Sequence, residues 1–261
     1  MSIKTILLHL ANDDHHAQRL AVAVRLARKF EAFLDFLHIV PVRSEGGEQG
    51  EGHSADLEHK VRVACRNASY ALTVIEGDPL ERMVERAAFA DLLILSQMEI
   101  EAAEGGADQM PERLALRMPG PLLVLPSNGD HDSLGRHILV AWHNSRTSGR
   151  AVRDALPFLK RAERVTLLSI DPPGLGGEGD SRELGEDLSV FLDRHGIQNL
   201  NLVNISTDDP ASDAILRLAE ENECDLIVLG ASGHSRLRSL VMGNVTRSVL
   251  EQTRVPVLLS H

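Results

Sequence analysis

The chain has 261 residues, of which 43% are hydrophobic, 25% charged and only 3% aromatic, with a formal net charge of -11. Such acidity argues against a nucleic-acid surface, where binding is driven by neutralising phosphates, and no apolar run approaches the roughly 20 residues of a membrane span. The hydrophobic share is enough for packed cores, and the two cysteines, Cys65 and Cys224, read as reduced packing residues and not as a disulfide framework.

Taken in order, the elements repeat. A first apolar run at Ile6-Leu7-Leu8-His9-Leu10 is broken by Asn12-Asp13-Asp14, which makes it a strand and not a secretory signal. A helix-period segment follows, then a second strand ending His38-Ile39-Val40-Pro41, then a Gly- and Glu-rich loop from Arg43 to Asp56. Asp78-Pro79 opens a further helix, Asp91 to Leu95 is a fully apolar strand after its aspartate, and Pro121 to Leu125 is another. The polar run Ser127 to Ser133 has no periodicity and reads as a linker. Beyond it the same landmarks return: Ile138 to Trp142 at an offset of 132, Ser169 to Pro172 at 131 with the loop Pro173 to Asp180, then Asp209-Pro210, Asp225 to Leu229 and Pro256 to Leu259. Five landmarks in register mean two copies of one domain, 1–127 and 134–261. Apolar runs alternating with helical segments predict an α/β fold in each copy, a Rossmann-like, five-stranded parallel sheet with helices on both faces.

The richest stretch follows the strand at Asp225 to Leu229. Gly230-Ala231-Ser232-Gly233-His234-Ser235 is a glycine loop, and Gly243-Asn244-Val245-Thr246 begins a segment in which Val245, Val249 and Leu250 share a face. Amides at such a helix start attract anions, and the segment from Gly230 to Arg254 carries Arg236, Arg238, Arg247 and Arg254 against a single Glu251. The first copy lacks this. After Leu95 come Ser96-Gln97-Met98-Glu99, and the stretch to Arg117 is net negative.

The spacing Gly230-x2-Gly233-x9-Gly243 followed by a small polar residue resembles the ATP signature of the universal stress protein family. The resemblance implies a tandem, UspA-like, bacterial-type cytoplasmic protein that binds ATP, with magnesium as companion ion, in its second domain and reports stress through conformation or a protein partner. By that likeness Ala141, Trp142, His143 and Ile170 would line base and ribose, and Leu229, Gly230, Gly233, His234, Gly243, Asn244, Val245 and Thr246 would surround the phosphates. His143 stands where the family carries an aspartate, and Asn244 where it carries Ser or Thr, a residue able to cap the helix. The first copy then reads as nucleotide-free. The likeness also implies that the two final strands pair within one chain as a pseudo-dimer, with other surfaces left for a homodimer of tandem chains.

Other motifs carry less. Gly174 to Gly179 fits Gly-x-Gly-x-x-Gly but lies after the second strand of its copy, not in the first tight β-α turn where a dinucleotide binds. His9, His38, His15, His16 and His143 lack zinc-site spacing, so no metal site is expected. No Walker lysine, Gly-x-Ser-x-Gly elbow or nucleophile and base set is present, and Asp209 and Asp225 read as helix-start and strand-edge residues. No catalytic residue is named, and whether the chain turns over ATP at all stays open. A nucleotide-independent interaction protein and an adenine-nucleotide hydrolase remain the alternatives.

Overall fold

The coordinates, a computed structural model, describe residues 2–10, 15–40, 51–66, 68–97, 110–127, 129, 131–171, 180–231 and 243–261. The chain divides into two compact units that part between residues 127 and 128.

In the first unit β1 (Thr5–His9), β2 (Phe33–Val40), β3 (Tyr70–Glu76), β4 (Leu92–Ser96) and β5 (Leu122–Leu125) form a parallel sheet in the order β3-β2-β1-β4-β5. Between them run α1 (His16–Phe30), α2 (Glu51–Ala64), α3 (Pro79–Ala87) and α4 (Met110–Arg117). Both faces of β4 and β5 are covered, and every one of their residues is buried, which is why they read as unbroken apolar runs. Edge strand β3 has no fully buried residue: Tyr70 to Thr73 are half-buried, and Val74 and Glu76 are exposed on either side of Ile75. Asp78 caps α3 by accepting the Glu81 amide at 2.9 Å, with Pro79 pre-set at the first helical position.

The second unit repeats the plan. Strands β6 (His137–Trp142), β7 (Arg164–Asp171), β8 (Leu200–Ser206), β9 (Leu226–Gly230) and β10 (Val257–Ser260) are ordered β8-β7-β6-β9-β10. The helices are α5 (Arg146–Leu159), α6 (Asp180–Arg194), α7 (Ala211–Glu221) and α8 (Asn244–Gln252). In both units the winding reverses beside the first strand, between β1 and β4 and between β6 and β9, which places a crevice at the carboxyl ends of those strands.

One aspartate braces each sheet at the opposite end. Asp91 accepts the amides of Lys4 and Thr5 at 2.8 and 2.9 Å, and Asp225 accepts those of Gly135, Arg136 and His137 at 2.9 to 3.1 Å. Asp225 is thereby a structural strand-edge residue. Asp209 does not cap α7, whose N-cap is Pro210, and lies 3.3 Å from Arg217 instead. Cys65 and Cys224 are both free and buried, and burial pushes each thiol up to about 11.

Candidate functional site

The second unit gathers most of the expected residues at its crevice. Ala141, buried, lies in register with Leu229 across the β6–β9 pair, and Gly230 ends β9 opposite Ser260 of β10. Trp142 closes β6 in register with Ser169, and His143 stands exposed just past the strand. Ile170 is half-buried on β7, one strand away from the crevice, in register with Ile205. Gly233 and His234, with the rest of the glycine loop and the run Gly174 to Gly179, lie outside the described residues.

Beyond the loop, α8 starts differently from the expectation. Its N-cap is Gly243, with φ -68° and ψ 148°, no side chain caps it, and Asn244 is the exposed first helical residue. The buried face is Thr246, Val249 and Leu250, with Val245 only half-buried. Thr246 can be buried because its hydroxyl has an acceptor, the Gly230 carbonyl at 3.4 Å. The first intrahelical bond runs from the Arg247 amide to the Gly243 carbonyl at 3.1 Å, so the amides of Asn244, Val245 and Thr246 have no partner within the helix.

Gly230 has a packing reason to be glycine. A Cβ there would stand 2.6 Å from the Ser148 nitrogen and 2.7 Å from the Thr147 carbonyl carbon, both backbone atoms of the first turn of α5. The strand end and the helix start touch without a side chain between them, and this seats the α5 N-terminus against the crevice. Ser145 caps that helix, accepting the Ser148 amide at 3.2 Å, while its hydroxyl bonds Ser148 Oγ at 3.1 Å and Thr147 Oγ1 at 3.3 Å. Ser148 was missed in the sequence, where nothing but its place three residues after the cap marks it. Also missed was His261, just past β10: burial, and then the nearby Arg146 guanidinium, hold its imidazole below the usual range.

Two helix N-termini, that of α5 capped by Ser145 and that of α8 without a side-chain cap, therefore lie beside the ends of β6 and β9, a setting suited to an anion. Acid–base or nucleophilic sets are absent among the described residues of the crevice, and among the described residues there is no group of three or more His, Cys, Asp or Glu able to hold a metal.

The first unit builds the same place otherwise. Ser96 ends β4 as Gly230 ends β9, and Arg19, only 1% exposed, donates from Nη1 to Ser96 Oγ at 2.9 Å. Arg19 is the fourth residue of α1, and at the repeat offset of 132 its counterpart in α5 is the buried Ala151. On β1 and β2 lie the buried His9 and His38, the latter with Nδ1 2.9 Å from the Leu10 carbonyl.

Comparison with known proteins places this architecture. The profile described as the universal stress protein family matches residues 135–261. Over 98% of its length the chain is 25% identical to universal stress protein Slr1230 of Synechocystis sp., covering 99% of that protein. The fold matches a universal stress protein from Archaeoglobus fulgidus with a TM-score of 0.74 at 15% identity, covering 99% of this chain and 96% of the other. A protein of unknown function from Pseudomonas aeruginosa matches with a TM-score of 0.69 at 18% identity, covering 99% and 92%.

Proposed function

Because the chain belongs to the universal stress protein family as a tandem, UspA-like member, we propose that it binds one ATP, with magnesium, in its second domain and acts as a cytoplasmic stress-response sensor of bacterial type. Domain 134–261 is the nucleotide-binding copy in this reading, and domain 1–127 is nucleotide-free. The observation that carries it is the start of α8: a glycine N-cap without a side-chain cap, three first-turn amides without a helical partner, and a threonine tied back to the end of β9. Gly230, Gly233 and Gly243 keep the spacing of a phosphate loop around it. The first domain has Ser96 and a buried arginine at the matching place. With no positioned base for an attacking water among the described residues, turnover of ATP is slow at most in this reading, and the nucleotide acts by changing which protein partner the chain meets. The apolar final strands β5 and β10 pair with one another within the chain in this reading, leaving other surfaces for a homodimer.

The test is the nucleotide itself. Protein denatured after purification should release an adenine nucleotide identified by mass spectrometry, and calorimetry should give one site per chain. Gly243→Val should abolish binding with the fold retained, since φ -68° and ψ 148° suit a β-branched residue. Two equivalent sites, or unchanged affinity in that variant, would sink the proposal. A second reading, a nucleotide-independent interaction protein, is favoured by one observation: Gly230 and Thr246 are already engaged inside the protein. Absence of any bound or titratable nucleotide would select it.

A further inference from the structure

In the first unit the amino ends of β1, β2 and β3 meet the end of α1 around a cleft of about 550 Å³, at the end of the sheet opposite the crevice. Small residues, Ala32, Ala68 and Ser69, line it together with Phe33, which is 40% exposed. Three charged side chains, Lys4, Arg28 and Glu31, complete the lining. The second unit builds the same place from larger residues. Phe33 pairs with Thr5 as Arg164 pairs with His137, so Ala32 matches Glu163. The Ser69 carbonyl accepts the Leu34 amide as that of Asn199 accepts the Val165 amide, so Ser69 matches Asn199 and Ala68 matches Gln198. Lys4 matches Arg136, since the bracing aspartates take their amides. Arg136 is paired there with Glu163 through two hydrogen bonds of 2.8 and 3.0 Å. With alanine in place of that acid, Lys4 makes no ion pair among the described residues, and neither does Arg28 or Glu31.

We propose that this cleft is a ligand site of the first domain for a planar aromatic monocarboxylate. Its volume falls within the range of about 300–1,000 Å³ that small-molecule sites occupy. The ligand carboxylate takes the place of the missing acid, accepting charge-assisted hydrogen bonds from Lys4 and from the Arg28 guanidinium. Its ring lies against Phe33 and the methyl groups of Ala32 and Ala68, which the bulkier side chains of the second unit would displace. Glu31 offsets one of the two cations, so the charged lining suits a single carboxylate and disfavours a second. The inference does not depend on nucleotide binding, which belongs to the other unit.

The test is calorimetry of the full chain with 2-naphthoate, which should bind saturably at one site, while neutral 2-naphthamide binds at least about tenfold more weakly. Lys4→Gln and Arg28→Gln, both at exposed positions, should each weaken naphthoate about tenfold. Ala32→Glu, which gives Lys4 the partner that Arg136 has, should abolish binding with the unfolding midpoint kept or raised. Should that variant fail to fold, Lys4→Gln decides the matter. ATP should leave naphthoate affinity unchanged. The proposal is overturned if naphthoate gives no saturable binding, if naphthamide binds equally well, if Lys4→Gln or a folded Ala32→Glu binds as the parent does, or if ATP displaces naphthoate competitively.

Discussion

The two crevices start from one plan, and among the described residues they differ at the strand ends, Gly230 of β9 against Ser96 of β4. Where β9 ends in Gly230, α5 comes into backbone contact with the strand at its first turn. Where β4 ends in Ser96, a hydroxyl occupies that contact and takes a hydrogen bond from Arg19, a cation from the fourth position of α1. Ala151, 132 residues on, holds that position in α5, buried as Arg19 is but with no polar group to offer. Losing one glycine thus comes with a change in what fills the site: backbone amides on one side, an internal guanidinium on the other. Duplicated domains can part in function at the strand end, while their sheets stay the same.

Gly230→Val should have the largest effect. Its side chain must displace helix backbone, and the second domain should lose about 3 kcal/mol, followed by Trp142 fluorescence in denaturant. Ser96→Gly, the reciprocal change, should cost much less, near 1 kcal/mol for a lost hydrogen bond. If Gly230→Val is as stable as the parent, the contact between β9 and α5 does not govern the difference. Next in size, Arg19→Ala should destabilise the first domain by about 2–3 kcal/mol, as for other large buried side chains cut to alanine. Ala151→Gly should cost the second domain about 1 kcal/mol, and amide hydrogen exchange resolved by domain would separate the two. Equal losses in both domains would blur the contrast drawn here.

How the sequence foretold these features follows from what each depends on. The strands are legible because burial on both faces forces apolar runs, and the repeat is legible because five landmarks keep their spacing. Gly230 is misleading in a productive way: it reads as a ligand glycine, yet its nearest constraint is the turn of α5, 82 residues earlier, which no local pattern contains. Thr246 and not Val245 joins the core because its hydroxyl reaches a carbonyl on β9, an arrangement a hydrophobicity scale cannot rank. Arg19, which the sequence reading passes over, stands four, seven and eleven residues before Ala23, Leu26 and Phe30 on the buried face of α1, a spacing that marks it as inward-facing.

Smaller effects probe the likeness that remains. Cys65 and Cys224, with thiols pushed up to about 11 by burial, should both resist a disulfide reagent at neutral pH and react only on unfolding. Fast modification of one of them in the folded chain would show that its domain opens locally. Least in size is a pH effect confined to the second domain. The folded state holds His261 below its ordinary 6.5, so the unfolded chain binds the proton first, and stability should fall as pH drops through that value toward the lowered one. His261→Gln should flatten this slope in denaturation curves taken at successive pH values, and an unchanged slope would assign it to another group.

The aspartate braces bear on how the protein is made. Asp91 ties down the amides of Lys4 and Thr5, and β1 lies between β2 and β4, so the strand synthesised first occupies the centre of its sheet. At roughly 5–20 residues per second, a ribosome needs about 4–17 s to travel from the end of β1 to the end of β4. Throughout that interval Ile6-Leu7-Leu8 lacks one of its two neighbours. Each domain therefore passes through a window, once per copy, in which an apolar central strand lacks a neighbour, and fast translation or a holdase chaperone would shorten or cover that exposure.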